Sequence, residues 1–197
     1  ARQDCESDHL EDVSRAHERI DALIDGILTV AREGDRVTEK ETVCLADVAE
    51  RCWQNVDTED ATLVTGAERK VRADGNRLQR LLENLIQNAV EHGSTGNRTK
   101  SDDAVENGSS DDGETVTVTV NVLEDENGFY VADDGSGIPQ DRREAVFENG
   151  YSTSGERTGF GLSIVERVTE AHDRDISVTE SDGGGARFDI KGVEFVG

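Results

Sequence analysis

LLENLIQNAVEHG, residues Leu81 to Gly93, is the stretch that decides how this chain folds. Leu81, Leu82, Leu85, Ile86, Ala89 and Val90 recur three and four positions apart, which makes one broad apolar face of a helix. Asn84 and Asn88 lie four apart, so their amides sit on one side of it. Asparagine in a helix is ordinarily solvated, and it costs propensity relative to alanine. At the edge of an apolar run, however, an amide leaving water needs a partner. A metal ion is one available partner.

Working outward, Asn76 is the expected cap of this helix, with Asp74 as the alternative. Upstream, Thr62 to Thr65 and Lys70 to Ala73 read as short strands around Gly66. Leu45 to Trp53 reads as a helix with Leu45, Val48, Ala49 and Cys52 on one face. Gly34 to Glu41 is polar linker. Before it, Leu10, Val13, His17, Ile20, Ile24, Ile27 and Ala31 form a heptad seam, widened by Ala16, Leu23 and Val30. That seam predicts one long helix over Ser7 to Glu33, and Gly34 is a suitable stop. A lone helix cannot bury such a stripe, so it calls for a partner helix and a dimer, as in a four-helix bundle. His17 falls on the seam and reads as packing. The chain opens inside this pattern and reads as a fragment.

Downstream, Ser94 to Glu114 is rich in Ser, Gly, Asn and Asp and has almost nothing to bury, so a mobile insertion over 94–114 is expected. Val116, Val118, Val120 and Val122 alternate with polar residues in a strand over Thr115 to Val122. A turn over Asp125 to Gly128 returns the chain along Phe129 to Ala132. Asp133 to Pro139 reads DDGSGIP. A short helix is expected over Arg142 to Phe147, and a loop that can move over Glu148 to Phe160. Leu162 to His172 is helical, with Ile164, Val165 and Val168 inward. Ile176 to Thr179 and Ala186 to Val193 are the last two strands, joined across Ser181 to Gly185. The order predicts an α/β two-layer sandwich with a mixed, mostly antiparallel sheet and one helical layer. The division expected is 1–40, a bundle helix and linker, and 41–197, the sandwich.

Composition narrows the function classes. Net charge is −23, with 44 acidic against 21 basic residues, of which only four are Lys. The acids are spread along the whole chain. Such a surface repels nucleic acid and anionic membrane, and concentrated salt would screen its self-repulsion, which points to a salt-loving cytoplasm. With 34% apolar and 4% aromatic residues, the core should be lean and aliphatic. Cys5, Cys44 and Cys52 form no motif, so free thiols in a reducing compartment are expected, with Cys44 and Cys52 as small core residues. No apolar stretch of membrane-spanning length is visible.

Two glycine-containing segments follow the paired asparagines. Asp133-x-Gly135-x-Gly137 closes a strand, where a carboxylate could accept an exocyclic amine and glycines let backbone approach a ring. Gly159-x-Gly161-Leu162 enters a helix, whose N-terminus offers free N–H groups and a partial positive charge to an anion. No G-K-[ST] loop and no third glycine of a dinucleotide fingerprint accompanies them.

Taken in order, these motifs resemble the catalytic, ATP-binding part of a sensor histidine kinase, in the ATPase superfamily that includes gyrase and MutL. NLIQNAVEH (Asn84 to His92) is similar to the N box, and DDGSGI (Asp133 to Ile138) to the first glycine box. VFENGYSTS (Val146 to Ser154) resembles the F box and lid, GFGLSIV (Gly159 to Val165) the second glycine box, and GGGARFDI (Gly183 to Ile190) the terminal strand. The resemblance covers roughly Thr42 to Val193, while residues 1–33 resemble the second helix of the dimerisation and phosphotransfer bundle. The acidic, lysine-poor style resembles haloarchaeal members.

The resemblance implies a Bergerat fold, ATP and Mg²⁺ as cofactors, and phosphoryl transfer to a histidine. By position, Asn88 would hold Mg²⁺, with Asn84 supporting it and His92 near the phosphates. Asp133 would bind adenine in a pocket shaped by Gly135, Gly137 and Ile138. Thr158, Gly159, Phe160, Gly161 and Leu162 would close over the phosphates, and Phe147 would anchor the lid. Glu91 stands where many kinases carry a basic residue, a deficit that Arg157 could offset. Asn84 stands where gyrase-type members place the water-activating glutamate, which implies poor hydrolysis. No H-[DE]-L-[RK]-x-P-L acceptor box is present, and His9 in SDHLEDV does not match it, so the acceptor is expected before Ala1. Implied partners are a second copy through residues 7–33 and a response-regulator receiver, with no nucleic acid and no direct membrane contact. A cytoplasmic location is expected, and a membrane tether, if any, lies outside this sequence. The alternatives are a degenerate ATP domain acting as a scaffold, or a gyrase- or MutL-type ATPase.

Overall fold

The structure, a computed structural model, describes residues 40–56, 61–66, 68–98, 115–148 and 161–196. The helix expected over residues 7–33 lies outside the described residues. In chain order the elements are β1 (Glu41–Cys44), α1 (Leu45–Trp53), β2 (Ala61–Thr65), β3 (Lys70–Ala73), α2 (Gly75–Arg98), β4 (Val116–Val122) and β5 (Gly128–Asp133). Two 3₁₀ turns follow, Gln140–Arg142 and Ala145–Phe147, then α3 (Gly161–Ala171), β6 (Asp175–Glu180), β7 (Ala186–Lys191) and β8 (Phe195–Val196).

The main sheet has five strands in the order β2-β4-β5-β7-β6. Only the β2–β4 pair is parallel; β4–β5, β5–β7 and β6–β7 are antiparallel. Register carries the alternation of each strand across the sheet. Val120 faces Val131, Val131 faces Phe188, and Phe188 faces Val178, so one buried row crosses four strands. The helices cover this face. Leu78, Leu81, Leu82, Leu85 and Ile86 of α2 are each at most 2% exposed, as the period of the opening stretch requires. The α2 helix packs against both α1 and α3, which makes it the middle of the helical layer. The expected two-layer, mostly antiparallel sandwich is the architecture found.

Four local readings are corrected by the structure. First, the end of the expected linker, Glu41, already belongs to β1, which pairs antiparallel with β3; β3 pairs in turn with β8 in a second, three-stranded sheet. Second, Asp74 rather than Asn76 caps α2: its Oδ1 accepts the N–H of Asn76 at 3.0 Å and of Arg77 at 3.1 Å. Third, α2 continues to Arg98, so the first five residues of the expected insertion are helical; residues 99–114 lie outside the described residues. Fourth, the short helix before the loop is two separate 3₁₀ turns. Cys52 is buried as expected, and burial pushes its thiol up to about 12. Cys44 is only half-buried.

Candidate functional site

Asp133 ends β5 on the core side of the sheet. Side chains two apart share a face, so Asp133 follows Phe129 and Val131, which are 0% and 1% exposed. A carboxylate in such a row must be hydrogen-bonded. Its Oδ1 accepts the N–H of Gly135 at 2.9 Å and of Ala186 at 3.2 Å. Burial nevertheless pushes its pKa above the ordinary carboxylate value, against those two amides; neighbouring Asp134 adds to the rise and His92 opposes it.

Glycines close the loop after Asp133 onto the helical layer. A Cβ on Gly135 would stand 2.4 Å from the Cα of Gly93, so this loop lies directly on α2 at Gly93. Gly137 has φ +68°, a left-handed conformation that costs glycine nothing. Ile138, Phe147 and Leu162 are half-buried against the core. Phe147 meets Phe188 of β7 edge to face, with ring centroids 6.4 Å apart.

The paired asparagines face the start of α3. The Nδ2 of Asn84 donates to the Arg80 carbonyl at 2.8 Å, which turns its Oδ1 away from its own helix. A Cβ on Gly161 would meet that Oδ1 at 3.2 Å, and both polar atoms of Asn88 at 3.7 Å. Gly161 therefore lets the first turn of α3 approach the amides closely. That turn carries no acidic residue, and the N-terminal end of a helix favours negative charge. His92, one turn beyond Asn88, is exposed, and in its protonated form it favours the ionised Asp133.

The structure thus brings together Asn84, Asn88 and Gly161 in one group, and Asp133, Gly135 and Gly137 in another, with His92 between them through α2. Thr158, Gly159, Phe160 and Arg157 lie outside the described residues. Amide oxygens suit a hard cation, and Mg²⁺ typically takes few protein ligands and fills its shell with water and substrate phosphates. Among the described residues no group of three or more His, Cys, Asp or Glu could hold a metal. The donor set therefore fits Mg²⁺ when phosphate oxygens complete it. Gly93, Ser181, Gly185 and Ala186, which pack on or bond to the Asp133 loop, are not singled out by any motif read residue by residue. The glycine run at 183–185 was their only signal.

A family model described as "Histidine kinase-, DNA gyrase B-, and HSP90-like ATPase" matches residues 73–193. Sensor histidine kinase ZraS of Escherichia coli O157:H7 is 32% identical over 61% of this chain and 23% of its own length. Sensor protein CutS of Streptomyces coelicolor is 31% identical over 86% of this chain and 40% of its own. The chain thus spans well under half the length of these relatives. Among solved structures, the mycobacterial sensor histidine kinase MprB superposes with a TM-score of 0.57 at 20% identity, covering 80% of this chain and 97% of that one. At that identity the likeness concerns the fold.

Proposed function

Because the chain belongs to the histidine kinase-, DNA gyrase B- and HSP90-like ATPase family, we propose that it is the ATP-binding catalytic region of a two-component sensor histidine kinase. It transfers the γ-phosphoryl of ATP to a histidine on a helix upstream of Ala1, for relay to an aspartate of a response-regulator receiver. The observation that carries this reading is the approach of Gly161 to Asn84 and Asn88, the first turn of a helix beside two side-chain amides.

Each group has a role. Asp133 accepts the exocyclic amine of adenine, with Gly135, Gly137 and Ile138 shaping the pocket. Asn88 would hold Mg²⁺ through its side-chain oxygen, supported by Asn84, with His92 near the phosphates. The bound ion supplies charge neutralisation at the phosphates. The first turn of α3, with Gly159, Phe160 and Thr158 before it, offers amides to the transferred group, and Leu162 and Phe147 fix the two ends of the lid on the core. Positioning and electrostatics of this kind account for most of phosphoryl-transfer catalysis. Asn84 is an amide and cannot take a proton from water, which disfavours hydrolysis. An imidazole acceptor needs no strong base, since its pKa near 6.5 leaves it neutral at pH 7.

The apolar seam of the sequence over residues 7–33 would pair two copies, and the kinase would work on the cytoplasmic side. Among the described residues no helix is long and apolar enough to cross a membrane. The charge of −23 is an adaptation to concentrated salt, as in haloarchaeal proteins.

Calorimetric titration of ATP and GTP into this chain, with and without Mg²⁺ in multimolar KCl, tests the reading. Saturable, Mg²⁺-dependent binding that prefers ATP is expected, and Asn88→Asp should remove that binding by altering ligand geometry and charge. No binding by folded protein would turn the reading to a scaffold. Steady hydrolysis lost on changing Asn84 would turn it to a gyrase- or MutL-type ATPase.

A further inference from the structure

Two of the hydrogen bonds that fix Asp133 come from the β6–β7 turn and the start of β7, the strand beside β5. The β5–β7 register ends at Ala132 facing Arg187, so the Asp133 carbonyl lies beyond that ladder. A buried carbonyl without a partner is costly. The hydroxyl of Ser181 supplies one, donating to the Asp133 carbonyl at 2.5 Å. The same oxygen accepts the N–H of Gly185 at 3.0 Å, so the single hydroxyl proton is committed to Asp133. Ser181 is 9% exposed.

The turn around it is closed on itself. Ser181 donates its N–H to the Gly185 carbonyl at 2.9 Å, and Gly184 donates to the Ser181 carbonyl at 3.0 Å. This small frame lies hard against the aspartate. A Cβ on Gly185 would stand 2.3 Å from both the carbonyl oxygen and Oδ1 of Asp133, and one on Gly183 would stand 2.8 Å from the Cβ of Asp134. The next residue, Ala186, donates to Oδ1. The backbone carbonyl of Asp133 is therefore held by the β6–β7 turn, and one carboxylate oxygen by the first residue of β7. The Gly135 N–H comes from its own loop, and on the other side β5 pairs Asp133 with Val118 of β4.

We propose that Ser181 is a positioning residue that, by holding Asp133 from the β6–β7 turn, sets the selectivity of the site for adenine over guanine. This rests on the nucleotide reading above. Adenine offers an amine donor where guanine offers the O6 acceptor, so a fixed carboxylate accepts from one and repels the other. Without the Ser181 hydroxyl the Asp133 carbonyl loses its partner and the turn leading into Ala186 loosens, so the carboxylate that Ala186 helps to hold is less firmly fixed and that discrimination fades. The phosphate-binding amides of α3 and the asparagines of α2 touch neither Ser181 nor the turn in any of these contacts, so affinity for phosphates should stay.

The test titrates ATP, GTP and inorganic tripolyphosphate, each with Mg²⁺, into the full chain and into Ser181→Ala and Ser181→Thr, with melts to show that each is folded at the titration temperature. Ser181→Ala should weaken ATP about fivefold, the scale of one net hydrogen bond, and narrow the ATP-to-GTP ratio by a similar factor. Tripolyphosphate affinity should not change, and Ser181→Thr, which keeps the hydroxyl, should keep the ratio. An unchanged ratio in Ser181→Ala overturns the proposal. So does an equal loss for all three ligands, or a loss of the ratio in the threonine variant, since either assigns the effect to packing. Failure of the underlying reading is separately visible, because the unaltered chain would then show no preference for ATP.

Discussion

The Nε2 of His172 accepts the backbone N–H of Asp74 at 3.1 Å, across 98 positions of sequence. Its Nδ1 lies 2.8 Å from the Val168 carbonyl, so the ring must be the neutral Nδ1–H tautomer, donating to Val168 and accepting from Asp74. One imidazole, 3% exposed, thereby ties the start of α2 to the end of α3. These are the two helices that carry the asparagines and the first turn beside them.

Acid should loosen this tie. Burial holds the His172 pKa below its ordinary value of 6.5; Arg174 and Lys40 push the same way, while the Val168 carbonyl and Asp74 oppose them. A base whose pKa is lowered on folding adds stability that is present above pH 6.5 and is lost as pH falls through the lowered value. Melting temperature should therefore drop between pH 7 and pH 5. His172→Ala should be less stable at pH 7 and should show a shallower drop; an identical slope in the variant would exclude the ring as its source.

Asp133 should give the opposite sign. Its pKa is raised by burial, so its contribution to stability is fully present below the ordinary carboxylate value and is lost as pH rises through the folded one. Only the ionised form is a strong acceptor for an amine. ATP affinity should therefore decline, on acidification, from a pH above the usual carboxylate range. Asp133→Ala should cost about 1.5–3 kcal/mol of ATP binding, the scale of a charged hydrogen bond, and should remove this pH dependence. Equal losses for ATP and GTP would argue against an adenine contact.

The cap of α2 can be assigned by two substitutions. Asp74→Ala removes the oxygen that accepts from Asn76 and Arg77 and should cost about 1 kcal/mol. For a domain of this size that is a melting shift of roughly 2–4 °C. Asn76→Ala should cost less, because its N–H is the donor and survives the change. A larger loss at Asn76, by calorimetry, would restore it as the cap.

Salt should stabilise the chain. With a net charge of −23, self-repulsion acts over a Debye length of about 10 Å at 0.1 M and about 3 Å at 1 M. Melting temperature should rise steadily from 0.1 M to 2 M KCl. A flat profile would mean that the acidic surface is not a salt adaptation.

What the sequence by itself determined is what repeats locally. The α1 and α2 faces and the valines of β4 follow from periods of 3.6 and 2, because a side chain's direction depends on its own element alone. The site motifs were legible for a related reason: glycines and asparagines at fixed offsets mark backbone that must come close to something. Tertiary structure decided what those groups meet. The four residues of β1 and two of β8 carry no periodic signal and are strands only because β3 lies between them. Asp74 outranked Asn76 as cap through the direction of one side chain. The Ser181 hydroxyl finds Asp133 48 positions away, and His172 finds Asp74 98 positions away. Neither contact leaves a local trace, since each exists only after the sheet has folded the turn and the helix ends together.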